Sequence, residues 1–147
     1  MKTSINGINL LKRYEGFSSK PYLCPAGVWT IGYGSTRLED GRAVTKDTPN
    51  ITYDQGTKLL EITLEQFELA VDAAVHVAVN QNQYDALVSL CYNIGAGNFS
   101  RSTLVKFLNA GNSTKAAQEF LRWNKVKGKP ITGLTKRREE EMKLFLS

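Results

Sequence analysis

Glu15, Cys24 and Thr30 supply a carboxylic acid, a thiol and a hydroxyl within one short stretch of chain. Pro25-Ala26-Gly27 is a turn signal between two extended runs, Lys20 to Cys24 and Val28 to Tyr33. A hairpin loop of those residues sets Cys24 opposite Val28 and Tyr22 opposite Thr30. Alternate side chains along a strand share a face, so Tyr22, Cys24, Val28 and Thr30 are predicted on one side of a small sheet. Glu15, at the end of the preceding helix, is placed to overhang that side. The trio suits glycoside hydrolysis. That reaction needs an acid to protonate the leaving oxygen, and a group on the other face of the sugar to guide water or to attack. The acid is characteristically a glutamic acid whose pKa is raised by burial. An unperturbed thiol has a pKa of about 8.5. Cys24 can therefore hold water as a thiol, act as a thiolate base, or attack the anomeric carbon.

Other chemistries lack their residues. His76 is the single histidine and sits in the apolar run Ala73 to Val79, where a structural or surface role is expected. That removes a Ser-His-Asp triad and a Cys-His dyad. One histidine and two scattered cysteines make no zinc site, and no metal or cofactor is expected. Cys91 lies on an apolar face and reads as packing. No phosphate-binding loop is present, and Gly32-Tyr33-Gly34 is too little for a dinucleotide fingerprint. Nineteen basic against fourteen acidic residues give a net charge of +5, which favours an anionic partner. No recognition-helix or aromatic RNA motif points to nucleic acid. No apolar run reaches the length of a membrane span, and no secretory signal opens the chain. Stable membrane anchoring is therefore not expected.

The elements that must hold these groups follow from periodicity. Ile5, Ile8, Leu11 and Tyr14 predict a helix over about 4–14, stopped by Gly16. Two or three antiparallel strands follow, with Asp40-Gly41 as a second turn and Arg42 to Thr45 as the third run. Thr52-x-x-Gln55 is a capping box opening a helix over about 53–79, weakened at Gly56. A helix so long beside so small a sheet reads as a spine between two lobes. Beyond it, Gly95 stops a helix carrying Leu87, Leu90, Cys91 and Ile94. Ser102 and then Asn112 or Ser113 cap two more. A loop holding Gly128, Pro130 and Gly133 leads to a last helix. The expected class is α+β, mainly α, in one domain of 147 residues. Its parts are a sheet lobe over about 16–51, a connecting helix over about 53–79, and a helical lobe over about 81–147 that includes the N-terminal helix.

The flanks of the trio are specific. Tyr14-Glu15-Gly16-Phe17, then Cys24-Pro25-Ala26-Gly27-Val28-Trp29-Thr30-Ile31-Gly32-Tyr33-Gly34, resembles the active-site segment of phage-type lysozymes, the endolysins of glycoside hydrolase family 24. Ala86-Leu87 to Asn93-Ile94-Gly95, Ser102-Thr103-Leu104, and Arg122-Trp123 with Gly133-Leu134 and Arg137-Arg138 continue it in order. The resemblance implies a two-lobed lysozyme-like fold. It also implies cleavage of the β-1,4 bond between N-acetylmuramic acid and N-acetylglucosamine of peptidoglycan. Glu15 matches the catalytic acid, Cys24 a position more often Asp, and Thr30 the threonine that helps hold water. An inverting outcome is implied with Cys24 guiding or activating that water. Asn93 and Ser102 fall where the second lobe lines the sugar cleft. Arg137 falls where an arginine approaches the glutamate, with Arg138 the second choice and one of the two read as surface charge. Ser35 replaces the usual histidine, so any ion pair of that histidine is missing. The resemblance further implies a monomer that accumulates in the host cytoplasm and reaches the periplasm and wall through a membrane lesion made by a holin. Two rival readings are a lytic transglycosylase using Glu15 alone and a non-catalytic peptidoglycan-binding module.

Overall fold

In the computed structural model, which describes residues 1–147, the first helix α1 runs from Ile5 to Glu15. Ile8, Leu10 and Leu11 are its buried apolar side chains, whereas Ile5 is exposed. Gly16 ends it with φ +69°, its N–H donating to the Lys12 carbonyl at 3.2 Å. That left-handed residue is why a glycine stands there.

Two strands follow, β1 (Ser18–Leu23) and β2 (Trp29–Gly32), paired antiparallel with Tyr22 opposite Thr30. The run Arg42 to Thr45 forms no third strand. Asp40 accepts from the Arg42 backbone N–H at 3.0 Å and from its Nε at 2.6 Å, closing a tight turn. The pairing beyond that turn is reduced to a single Arg37–Ala43 bridge. The core beneath is Ile31, Val44 and Leu59, flanked by Trp29, Leu38 and Ile51. Each such buried aliphatic stabilises by roughly 1.5–3 kcal/mol.

The long helix α2 spans Tyr53–Ala74. Its capping box forms as read: Thr52 N–H donates to Gln55 Oε1 at 2.8 Å, and Gln55 N–H to Thr52 Oγ1 at 3.2 Å. Gly56 is required by a ring. A Cβ there would lie 2.6 Å from Phe17 Cε1, and Phe17 also stacks on Tyr53 at 4.4 Å. The helix ends before the expected residue 79. Asn109 takes over its last turn, donating from Nδ2 to the Ala74 carbonyl and accepting the His76 N–H, both at 2.8 Å. The alternating Val75, Val77 and Val79 then run on outside the helix, as β-branched residues favour.

The rest is helical: α3 (Gln81–Ile94), α4 (Ala96–Ser100), α5 (Thr103–Asn109), α6 (Ser113–Glu119), a 3-10 turn over Phe120–Trp123, and α7 (Thr132–Leu146). Gly95 stops α3 at φ 93°, Ser102 caps α5 and Asn112 caps α6. Two features depart from the sequence reading. The glycine-rich loop contains a hairpin, β3 (Lys125–Val126) with β4 (Lys129–Pro130), turned by Lys127 and Gly128 at positive φ. Gly133 lies inside α7 rather than before it, because that helix begins at Thr132.

The chain divides into two compact units, Ile8–Glu65 and Met1–Gly7 with Gln66–Ser147. Most of α1 thus belongs with the sheet, not with the helical lobe as the sequence suggested. The helix α2 supplies residues to both units.

Candidate active site

The turn after β1 is built around Cys24. Its N–H donates to the Val28 carbonyl at 3.0 Å, and its own carbonyl accepts the Gly27 N–H at 2.8 Å. That geometry needs the positive φ of Gly27, at 78°. The backbone N–H groups of Val28 and Ala26 favour the charged form of the half-buried thiol most, burial opposes them, and the Thr30 hydroxyl and the Gly27 N–H add smaller contributions in favour. The thiol is therefore held below its usual pKa. Thr30 is buried and its Oγ1 donates to the Val28 carbonyl at 2.9 Å. A hydroxyl has one proton, so Thr30 gives it either to that carbonyl or to the thiolate.

Tyr22 links this turn to the helix before it. Partial burial, then the charges of Cys24 and of Glu15, push its phenol above the ordinary value. Glu15, half-buried at the end of α1, and Cys24 thus act on one neighbour. The structure brings Glu15, Tyr22, Cys24 and Thr30 together within the unit Ile8–Glu65.

The remaining candidates lie in the other unit. Asn93 is exposed at the end of α3 and its Oδ1 accepts from Arg138 Nη2. This commits the Nδ2 amide to any acceptor that arrives. Ser102 is buried, capping Val105 N–H at 3.2 Å and donating to the Phe99 carbonyl at 2.6 Å. Arg137 is also buried, with Nε 3.3 Å from Glu141 Oε2 and Nη2 3.4 Å from the Ser89 carbonyl. Arg138 is 1% exposed, pairing with Glu141 Oε1 at 2.6 Å and donating to the Trp123 carbonyl at 2.7 Å. Neither arginine is surface charge, contrary to the reading that one would be. Both are consumed by Glu141, which also accepts from Ser89 Oγ at 2.5 Å. The sequence reading passed over Glu141, although the spacing Arg137, Arg138, Glu141 sets all three on one turn-and-a-bit of helix.

Other singled-out residues behave structurally. Ser35 is fully buried with Oγ 3.0 Å from Thr63 Oγ1, so a hydroxyl pair occupies the position where the histidine was missed. His76 is exposed and its Nε2 lies 3.0 Å from the Ala73 carbonyl. Cys91 is buried, and burial pushes its thiol up to about 12.

Fold and residues together define a class: a lysozyme-like, mainly helical enzyme fold with its candidate chemistry beside a two-stranded sheet. The family model for phage lysozymes matches residues 12–141. The endolysin of Salmonella phage P22 is 44% identical over the whole of this chain and 99% of its own length. The endolysin of Bacillus phage B103 is also 44% identical over the whole chain, which spans only 55% of that relative. A solved P22 lysozyme variant superposes with a TM-score of 0.91 at 43% identity, covering 100% of this chain and 99% of that one. The muramidase domain of SpmX from Asticaccaulis excentricus gives 0.87 at 35% identity, covering 99% and 98%. The chain belongs to the phage lysozyme family and is a glycosidase of the muramidase type.

Proposed function

We propose that this chain is an endolysin that hydrolyses the β-1,4 bond between N-acetylmuramic acid and N-acetylglucosamine of peptidoglycan by inversion. Glu15 gives its proton to the glycosidic oxygen as the bond to the anomeric carbon breaks, and that oxygen keeps the electron pair. Water bonds to the anomeric carbon from the opposite face and loses its proton to the Cys24 thiolate. Thr30 orients that water with its hydroxyl. Solvent exchange then returns the proton from Cys24 to Glu15. The observation that carries this reading is the cradle of N–H donors around Cys24, which favours a thiolate beside Thr30, with Tyr22 coupled to both Cys24 and Glu15. The anion replaces the carboxylate that the position more often holds.

Asn93 donates to the sugar from its free amide, while Ser102 and Arg137 support the sugar-binding face from within. The enzyme acts as a monomer. No helix is long and apolar enough to cross a membrane. In the proposed route the chain waits in the host cytoplasm for a holin lesion and then acts on the wall.

The test is reducing-end release from purified Gram-negative sacculi by wild type, Glu15→Gln and Cys24→Ala. Loss of an acid or base typically costs about 10²–10⁴ in rate, and both variants are expected in that range. The NMR signal of the first product should be the inverted anomer. Anhydro sugar ends would replace this reading with a transglycosylase, and a fully active Cys24→Ala would remove the thiol from the mechanism. Wall binding without any cleavage by wild type would leave only a binding module.

A further inference from the structure

Between Phe120 and Arg138 the chain carries seven basic residues and no acidic one. Three of the seven are spent internally: Arg122 on Glu119, and Arg137 and Arg138 on Glu141. Lys125, Lys127, Lys129 and Lys136 remain, all exposed and with no ion-pair partner. Three of these four sit on the β3–β4 hairpin. Its base is pinned by Ile131 N–H to the Asn124 carbonyl at 2.9 Å and by Asn124 Nδ2 to Thr135 Oγ1 at 3.0 Å. Both of its strands are exposed, so the hairpin adds little to the core.

Lys127 stands at φ 51°, in the left-handed region. A side chain there costs roughly 1–2 kcal/mol, which is why such turns use Asn-Gly or Gly-Gly. A lysine kept at that cost on an exposed tip implies a use for its charge. The hairpin also walls a cavity of about 620 Å³, lined by Trp123, Lys125 and Val126 with Asn93, Asn98 and Leu134. That volume lies in the range of ligand pockets, about 300–1,000 Å³. The lining combines cationic, amide and apolar groups.

We propose that the β3–β4 hairpin is a carboxylate-binding subsite. In it Lys125, Lys127 and Lys129 hold the free carboxylates of the peptides attached to the glycan, and the adjoining cavity takes the peptide backbone. The proposal rests on the muramidase reading for the identity of the polymer. Charge distribution separates this partner from a lipid surface. Val126 is paired with Lys129, so a lysine shares the face of the apolar residue, and Lys125 is paired with Pro130 on the other face. A membrane-lying element separates its charged and apolar faces. A finger charged on both sides fits between the strands of a polyanionic mesh.

The experiment measures binding of the Glu15→Gln chain to purified sacculi across a salt series. Its hairpin is then varied as Lys125→Ser, Lys127→Ser and Lys129→Ser together, and separately with all three changed to Arg. Melting temperatures check that both variants fold. The serine variant should bind native sacculi about tenfold more weakly at low salt, with a shallower salt dependence, and the arginine variant should bind as the parent does. Sacculi whose carboxylates have been converted to amides should bind the parent as weakly as native sacculi bind the serine variant. Equal affinity of the serine variant and the parent for native sacculi overturns the proposal. So does a loss unaffected by amidation, or hairpin-dependent binding to phosphatidylglycerol vesicles at affinities matching those for sacculi. Because binding is read without cleavage, failure of the hydrolysis reading and failure of this subsite appear in different assays.

Discussion

The two compact units handle charge in opposite ways. Ile8–Glu65 carries seven basic and seven acidic residues, a net charge of zero, and it holds Glu15, Cys24 and Thr30. The other unit carries twelve basic against seven acidic residues, so the whole +5 of the chain resides there. In the first unit the important electrostatics are local: backbone N–H groups of the same turn lower the pKa of one thiol. In the second, charge is buried and cancelled at Glu141, paired between Arg122 and Glu119, and left free on the hairpin. Net charge therefore does not mark the unit that holds Glu15, Cys24 and Thr30. A mildly basic composition pointed to an anionic partner but not to the residues that meet it.

The sharpest form of this comparison is the pair of cysteines. Cys24 is held below the usual thiol value by N–H donors, whereas burial lifts Cys91 to about 12. In the proposed mechanism the thiolate of Cys24 is the working form, so kcat/KM should fall about tenfold per pH unit once the pH drops below its lowered pKa. Cys24→Asp should carry that acid limb several units lower, because an ordinary Asp titrates near about 3.9 and a thiol near about 8.5. An acid limb that stays put in the Asp variant would show that Cys24 is not the base. The stability signs also oppose each other. Cys24, with its depressed value, contributes stability above the ordinary thiol pKa that is lost as pH falls through its lowered one. Cys91 ionises in the unfolded chain but not in the fold, so stability falls as pH rises past the ordinary thiol value toward about 12.

Buried and exposed ion pairs separate the units next. Glu141 is fully buried and satisfies both Arg137 and Arg138. Glu141→Ala leaves two buried cations without their carboxylate, and the loss should reach about 3–5 kcal/mol. In the sheet-bearing unit, Glu39 pairs with Lys58 at 3.3 Å, with both side chains more than 60% exposed. Glu39→Ala should change stability by no more than about 0.5 kcal/mol. Urea unfolding of the two variants measures both. A loss under about 1 kcal/mol for Glu141→Ala would mean that the buried quartet is replaceable and not a structural centre.

How much was legible from sequence follows the same local-versus-distant division. The hairpin register, the capping box at Thr52 and the glycine stops at Gly16 and Gly95 are written in neighbouring residues, and the structure has them where the spacing put them. Gly56 reads as a weak helix position. Its reason is the Phe17 ring, which lies across the fold and is invisible to periodicity. The early end of α2 depends on Asn109, more than thirty residues away. The β3–β4 hairpin escaped because Lys-Gly is an uncommon turn pair and its strands are only two residues each. In the candidate site, the Pro25-Ala26-Gly27 turn and its register followed from sequence, whereas the N–H donors that favour the Cys24 thiolate did not. Nor did the commitment of both arginines to Glu141, because one arginine would have sufficed for a surface pair.

The smallest contrast lies between two helix starts of the same design. In the sheet-bearing unit Thr52 and Gln55 exchange hydrogen bonds at the start of α2. At the start of α3 in the other unit, Asn80 Oδ1 accepts the Gln83 N–H at 2.8 Å, and Gln83 Oε1 accepts the Asn80 N–H at 2.9 Å. Both boxes are exposed, so neither gains much from burial. Asn80 opens a helix whose residues from Tyr84 to Cys91 are all buried, so fraying there reaches the core. The first turn of α2 is exposed apart from Gly56, so fraying there costs little beyond the bond itself. Asn80→Ala should therefore destabilise by about 1–2 kcal/mol and Thr52→Ala by about 0.5–1 kcal/mol, within the range for N-cap removal. Hydrogen exchange at the first turns of α2 and α3 reads the same difference locally. If Thr52→Ala costs the fold more than Asn80→Ala, the start of α2 is coupled to the Phe17 and Tyr53 rings more tightly than its exposure implies.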